Sequence, residues 1–288
     1  NQSDFIVNHM GTTTPYNTYL GGLIGYLTGS TSPAPGSLSY LTNSMNQGKI
    51  NFDIKLELSS SSSYTWFHYI GGAVGSTRYA TIENCGNLDS LYLTNDVTTY
   101  YKTSYIYAGG ITGYISGTSA LPVNIKKSYN KGKIILNNKA KCTSSSSYAN
   151  SWGYIGGITG YCNTGYITIS DCYNRGDLQP NAYSYHSSYY NRSYNYAGGI
   201  TGYLTTSTTT ITNCYNTGNV PSTYTAYAGD AGTGTITYAH DCIGQNASGN
   251  TQTNIVYYLS SCGCTNNVTN STACDDAILK GGGDALYS

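Results

Sequence analysis

The chain has 288 residues, only 9% of them charged, and a formal net charge of zero. An average soluble domain is about 25% charged, so no basic patch is available to neutralise phosphates and a nucleic-acid role is excluded; a surface this neutral does not repel its own copies and favours self-association. No run approaches the ~20 apolar residues of a membrane helix, and 33 tyrosines and 35 glycines with abundant Ser and Thr, in place of good helix formers, make an all-β composition.

Residues 1–18 contain one short extended run, Asp4-Phe5-Ile6-Val7. It reads as an N-terminal extended segment able to donate a strand to another copy. The chain starts without Met and without a basic-then-apolar leader; the expectation is a start that follows a processed signal peptide or a trimmed one.

From residue 19 to residue 259 one unit recurs. Its first half is Gly-Gly-x-x-Gly-(Tyr), beginning at Gly21, Gly71, Gly109, Gly156 and Gly198, with spacings of 50, 38, 47 and 42 residues. Alternation such as Tyr107-Gly109-Ile111-Gly113-Ile115 predicts a continuous strand. Its glycines are expected to leave room for a second backbone layer or for an aromatic ring lying flat.

The second half is Ile/Leu-x-x-Cys/Ser-Tyr/Met-Asn-x-Gly-x-aliphatic. It stands at Ser44–Gly48, Ser128–Gly132, Cys172–Gly176 and Cys214–Gly218, with a shortened copy at Cys85-Gly86-Asn87-Leu88. Leu41, Ile82, Ile125, Ile169 and Ile211, each three residues before the Ser/Cys position, predict an aliphatic ladder. Asn46, Asn130, Asn174 and Asn216 predict a ladder of hydrogen-bonded amides. The Asn-x-Gly turn is expected to use left-handed backbone angles, and the next strand to begin at Ile50, Leu88, Ile134, Leu178 or Val220. Ser59–Ser63 and Ser144–Ser147 read as loops leaving a regular core.

Repeats of 38–50 residues without helical stretches point to an all-β β-solenoid, parallel β-helix-like, of about five repeats. One repeat could supply one large rung or two small ones. A β-propeller, whose blades are ~40–45 residues long, is the alternative. Variable loop lengths and the stacking turn residues favour the solenoid.

The cores Gly22-Leu23-Ile24-Gly25, Gly110-Ile111-Thr112-Gly113, Gly157-Ile158-Thr159-Gly160 and Gly199-Ile200-Thr201-Gly202, with the run Asn213–Val220, resemble the GLUG repeat family. The resemblance covers about residues 19 to 259. It implies a secreted or cell-surface β-helical region, and no catalytic residues belong to the motif. The high tyrosine content departs from it.

Residues 260–288 form a Cys-containing tail expected to act as a cap. Cys172, Cys214, Cys242, Cys262, Cys264 and Cys274 are the disulfide candidates, although Cys172 and Cys214 share a repeat position with Ser, where a small buried residue is enough. Sequons at Asn1, Asn191, Asn246, Asn267 and Asn270 are candidate glycan sites, not enriched over chance.

Catalytic chemistry finds little support. His9, His68, His186 and His240 are scattered, read as loop residues, and present no metal-ligand spacing. Asp171, Arg175 and Asp177 flank one turn, but the same positions carry Asn213, Thr217 and Asn219 in the next repeat and Lys127, Lys131 and Lys133 in the preceding one, so no charged column builds up. No cofactor or metal is expected. Tyrosine offers a large apolar face with a polar tip, suited to interfaces and to sugar stacking. Tyr183, Tyr185, Tyr189 and Tyr190 are the candidate contact residues. The expectation is a non-enzymatic extracellular structural protein, a homopolymer joined head to tail through its solenoid ends. The alternative is a monomeric surface adhesin binding carbohydrate through its Tyr-rich loops.

Overall fold

A computed structural model describes residues 2–10, 16–32, 36–57, 62–98, 101–142, 148–185, 191–205, 208–220, 227–228, 235–240, 243–246, 252–259 and 271–274. Among these residues the regular elements are all strands, in four sheets whose pairings are parallel and, but for the tail strand Ser271–Cys274 on Gln252–Leu259, join equivalent segments of successive rungs. The protein is therefore a parallel β-solenoid, not a propeller, and each repeat makes one rung.

The third rung shows the plan. Lys102–Gly109 lies in a column of aromatic-rich strands, and Thr112–Ser116 in a column that returns from it. Val123–Lys126 follows in an aliphatic column, Tyr129–Asn130 in a short asparagine column, and Ile134–Lys141 in a back column. Each strand is in register with its counterparts on either side: Ile106 pairs with His68 and Gly153, and Ile125 with Ile82 and Ile169.

Strand alternation sorts the side chains. In the back strand Leu91–Thr98, every second residue (Leu91, Leu93, Asn95, Val97) is buried. Two separate apolar clusters result. One lies between the returning and aliphatic columns and contains Val74, Ile82, Ile111, Ile125, Ile158 and Ile169. The other lies between the back and aromatic columns and contains Phe52, Trp66, Ile70, Leu93, Ile106 and Leu136. The predicted aliphatic ladder is present: Leu41, Ile82, Ile125, Ile169 and Ile211 pair rung upon rung.

The two lobes meet at a waist made of glycine and asparagine. A Cβ built on Gly110 would lie 2.3 Å from Asn130 Cγ, and on Gly157 2.3 Å from Asn174 Cγ. The asparagines form one directed chain: Nδ2 of Asn46, Asn87, Asn130 and Asn174 donates to Oδ1 of the next, at 2.9, 2.8, 2.8 and 2.7 Å. The amide ladder expected from sequence is thus present and includes Asn87.

Three local expectations need correction. First, the Gly-Gly segment is a corner, not one strand. The N–H groups of Ile111 and Thr112 both donate to the Ile158 carbonyl, at 3.0 Å each, and this two-to-one pairing bends the chain as a bulge does. The alternate glycines admit backbone: a Cβ on Gly113 would lie 2.5 Å from Ile70 N and Tyr107 O.

Second, the Asn-x-Gly turn is not left-handed. In this part of the repeat the left-handed residues are Asn43, Asn84, Lys127, Asp171 and Asn213, with φ of 50, 54, 47, 54 and 50°, each just before the Ser/Cys position. The asparagine holds the turn with its side chain instead: Asn130 Nδ2 donates to Gly132 O at 2.8 Å, and Gly132 N–H donates to Asn130 Oδ1 at 3.2 Å. Third, Leu91 and not Leu88 begins the second back strand, paired with Ile50 and Ile134.

Left-handed angles disfavour lysine by about 1–2 kcal/mol, and among residues with a side chain asparagine tolerates them better. Lys127 also pairs with exposed Glu83 at 3.6 Å, a contact worth at most about 1 kcal/mol. Lys127→Asn is expected to raise stability by about 0.5 kcal/mol, read as a higher urea midpoint.

The N-terminal segment is engaged within its own chain. Phe5–Met10 pairs in parallel with Ile50–Lys55 as the first strand of the back column. It is the terminal strand of that sheet, paired on one edge only.

Candidate functional site

The corner at four of the five Gly-Gly pairs turns two outward tyrosines towards each other; at Gly71-Gly72 the second position is Ser76. Tyr19, Tyr69, Tyr107, Tyr154 and Tyr196, two residues before the glycine pair, stack along the axis with ring centroids 5.0, 5.3, 5.2 and 5.1 Å apart. Across the corner Tyr114, Tyr161 and Tyr203 form a second stack, at 5.8 and 5.2 Å. The two stacks meet edge to face: Tyr107–Tyr161 at 4.8 Å and 67°, Tyr154–Tyr203 at 5.2 Å and 86°. Such pairs are worth ~0.5–1.5 kcal/mol each beyond their buried area.

Phe67, Tyr105, Trp152 and Tyr194 extend the face two residues earlier on the same strands, with centroids 5.1, 6.0 and 4.4 Å apart. A separate stack of Tyr129, Tyr173 and Tyr215, at 5.0 Å spacing, runs beside the asparagine ladder. Lys131 and Arg175 lie over the Tyr129 and Tyr173 rings, at 5.3 and 5.2 Å.

Packing this dense removes water from the phenols. Burial, ahead of neighbouring tyrosines, pushes Tyr107 and Tyr154 far above the usual phenol range and brings Tyr161 and Tyr173 up to about 12. In the unfolded chain these groups ionise near 10.0. Their contribution to stability is therefore complete below about pH 10, and is lost as pH rises from there towards the folded values. Circular dichroism is expected to be flat from pH 7 to 9 and to collapse above pH ~10–11, with most phenolate absorbance at 295 nm appearing in the same step.

The charged groups pair with one another between rungs. Lys133 meets Asp177 at 3.3 Å, Lys127 meets Glu83 at 3.6 Å and Lys139 meets Asp96 at 3.8 Å. Asn213 Nδ2 donates to Asp171 Oδ1 at 3.1 Å, and the Asn219 N–H donates to Asp177 Oδ1 at 3.1 Å. The carboxylates flanking Arg175 thus serve the stacking. Among the described residues no group of His, Cys, Asp and Glu could hold a metal ion, and no helix is long and apolar enough to cross a membrane. His68 is a core residue and not a loop residue: it is fully buried, with Nδ1 3.2 Å from Thr18 Oγ1.

Of the contact residues nominated from sequence, the two described ones lie in the back column and not in the strands of the aromatic face. Tyr183 sits half-buried in the back column opposite Lys139, and Tyr185 ends that strand. Tyr189 and Tyr190 lie outside the described residues. The tyrosines that do build the face stand inside the repeat motif, in Gly-x-x-Gly-Tyr and two residues before Gly-Gly, but only the bend at the corner brings the two sets together.

Cys172 and Cys214, proposed for disulfides, are free, buried thiols. Their Sγ atoms donate to the carbonyl two residues back, Ser170 at 3.1 Å and Thr212 at 3.2 Å, as Ser128 Oγ does to Lys126 at 2.8 Å. The position calls for a small donor, which explains why Ser and Cys exchange there; burial keeps the Cys172 thiol well above its usual range. Cys242, Cys262 and Cys264 lie outside the described residues, and Cys274 ends the strand Ser271–Cys274.

Asn191 is no glycan site in the folded chain. It is 2% exposed, and its Oδ1 accepts the Ala149 N–H at 3.1 Å, so the rung has no room for a sugar. Asn246 ends the strand Ile243–Asn246; Asn1, Asn267 and Asn270 lie outside the described residues.

No family model, no curated protein and no solved structure matches the chain. The likeness to the GLUG repeat family rests on the motifs alone.

Proposed function

We propose that the chain is a non-enzymatic extracellular structural subunit that stacks head to tail into a filament, the first rung of one copy lying on the last rung of the next. One observation carries this reading. The strand pairings within the four sheets are parallel and in register, so a translated copy can make at its end the pairing that each rung already makes inside the chain, apart from the stretch where the tail strand Ser271–Cys274 already lies on Gln252–Leu259. The first rung presents the matching surface. Five of the seven exposed large hydrophobic side chains among the described residues belong to it or to the strand leading into it: Ile6, Tyr19, Tyr26, Tyr40 and Met45.

The contrast within one column supports it further. Tyr19 is 41% exposed at the end of its stack, whereas Tyr107 and Tyr154 in the middle are 7% exposed. An added rung would cover Tyr19 to the same degree, and open sheet edges of this kind template further pairing. The near-absence of net charge favours self-association, and ion pairing across rungs favours a structural over a catalytic use of the charged groups.

The test is negative-stain electron microscopy of the protein and of the double variant Ile6→Lys/Tyr40→Lys, which places charge on the open edge. Filaments from the parent chain and discrete short rods from the variant are expected. Discrete rods from both would refute the proposal.

A second reading, a carbohydrate-binding surface module, is favoured by the length of the aromatic face.

A further inference from the structure

The second aromatic stack has one tyrosine missing. In register its positions run Tyr26, Ser76, Tyr114, Tyr161, Tyr203 and, at the far end, Gln245, so Ser76 is the interruption that lies between two rings. Four rungs supply a ring and the second supplies a hydroxymethyl group. Strands in a sheet are about 4.8 Å apart, so the Tyr26 and Tyr114 rings stand two spacings, or about 10 Å, apart across Ser76. That gap takes one ring.

The gap is open. A cavity of about 260 Å³ lies there, lined by Tyr26, Ser76, Arg78, Tyr114, Asn163 and Thr164, with Tyr19 and Tyr69 of the first stack behind. Elsewhere the protein closes such a vacancy. At Gly86, which stands where Tyr129 and Tyr173 stand in later rungs, the Tyr129 ring itself leans in, 2.5 Å from where a Cβ would be. At Ser76 the neighbours are held back. Tyr114 is fixed by the Asn163 amide, which donates to its hydroxyl at 2.6 Å, and by edge-to-face contact with Tyr69 at 5.0 Å. Tyr26 leans on Tyr19 at 5.2 Å.

We propose that this slot binds a single pyranose ring carrying a carboxylate, a uronic-acid residue of an acidic polysaccharide. The two tyrosine faces suit the C–H faces of a sugar ring. The rim carries the hydroxyls of Ser116 and Thr164, 3.1 Å from each other, and the Asn163 amide, whose nitrogen donates to Tyr114 and whose oxygen accepts no side-chain bond from it. Arg78 is the only cation in the lining; it lies beside the Tyr26 hydroxyl with its guanidinium 4.9 Å from the Tyr79 ring centroid, and a carboxylate is the charge it selects. The slot names a ligand class for the second reading above. It does not depend on end-to-end assembly, because its walls face outward from the flank of the solenoid.

The experiment is titration of methyl β-glucuronide and of methyl β-glucoside into the Ile6→Lys/Tyr40→Lys protein, followed by calorimetry and tyrosine fluorescence, so that polymerisation plays no part. Glucuronide is expected to bind at millimolar strength, as suits one ring, and glucoside about tenfold more weakly. Ser76→Tyr restores the residue of the other rungs. It is expected to fold with a higher Tm and to bind neither sugar. Arg78→Gln is expected to remove the preference for glucuronide. Absence of glucuronide binding, equal affinity for the two glycosides, or binding unchanged in a folded Ser76→Tyr protein would each overturn the proposal, whatever the outcome of the filament test.

Discussion

A Gly110→Ala variant is expected to lose more than about 4 kcal/mol of stability and to be largely unfolded at room temperature. The added Cβ would lie 2.2 Å from the Gly157 carbonyl oxygen and 2.3 and 2.4 Å from Asn130 Cγ and Cβ, where real Cβ contacts do not fall below 3.0 Å. None of these atoms is free to retreat. The Gly157 backbone is tied to the next rung by its N–H bond to Gly198 O at 3.1 Å, and Asn130 is held in the amide ladder on both sides. The backbone angle of Gly110 is ordinary, so the loss comes from space alone. A solenoid is held by contacts between adjacent rungs, and a defect in the third rung separates the second from the fourth. Circular dichroism in urea reads the effect. Gly117→Ala, whose Cβ would meet its nearest neighbour at 2.8 Å in a connection outside the waist, is expected to cost less, about 1–3 kcal/mol.

Asn130→Ala is expected to cost about 3 kcal/mol. Its amide donates to Gly132 O and Asn174 Oδ1, both at 2.8 Å, and accepts from Gly132 N–H and Asn87 Nδ2. Asn87 keeps the Asp89 carbonyl at 2.8 Å, and Asn174 keeps the Gly176 N–H at 3.2 Å. Gly132 loses both side-chain contacts, and the waist gains a cavity. Asn130→Asp separates the hydrogen bonds from the volume. It keeps the shape but sets carboxylate oxygen against Asn174 Oδ1 and Gly132 O. Burial then raises the carboxyl above its unfolded value of about 3.9, so stability is highest below that pH, where the protonated acid can donate, and is lost as pH rises through the folded value. The urea midpoint of Asn130→Asp at pH 4 and at pH 7 checks the sign; a midpoint independent of pH would show that the ladder does not carry this energy.

The parts of the fold legible in the sequence were those fixed by translation along the axis. Identical residues at one repeat's distance stack on one another, so Asn46, Asn130, Asn174 and Asn216 announce a ladder, and Leu41 to Ile211 announce a second, without any knowledge of the cross-section. The shape of the rung was not legible, because it depends on where the chain turns. Alternating glycines in Tyr107–Ile115 read equally as a straight strand, and only the shared carbonyl of Ile158 reveals the corner. The left-handed position was misplaced for a related reason. Asn and Gly in the turn suggested it, but their packing needs are side-chain capping and close backbone approach, while the left-handed angle falls on a position that also holds Lys127 and Asp171.

The aromatic face was half legible. Its tyrosines belong to the repeat, yet the dense run Tyr183–Tyr190 drew attention by composition, and composition carries no information about which side chains meet across a corner. The slot at Ser76 has a sequence signal of its own: the second repeat reads Gly71-Gly72-Ala73-Val74-Gly75-Ser76 where the others end in Gly-Tyr. A departure from an internal repeat marks a place where stacking alone does not set the residue.

The claim that rungs continue from one copy to the next is tested most directly by X-ray fibre diffraction from aligned assemblies of the protein. The account predicts a sharp meridional reflection at about 4.8 Å, with a coherence length many times that of a single solenoid, lost in Ile6→Lys/Tyr40→Lys. Assemblies whose 4.8 Å order extends no further than one molecule, or an undiminished pattern from the charged variant, would contradict it.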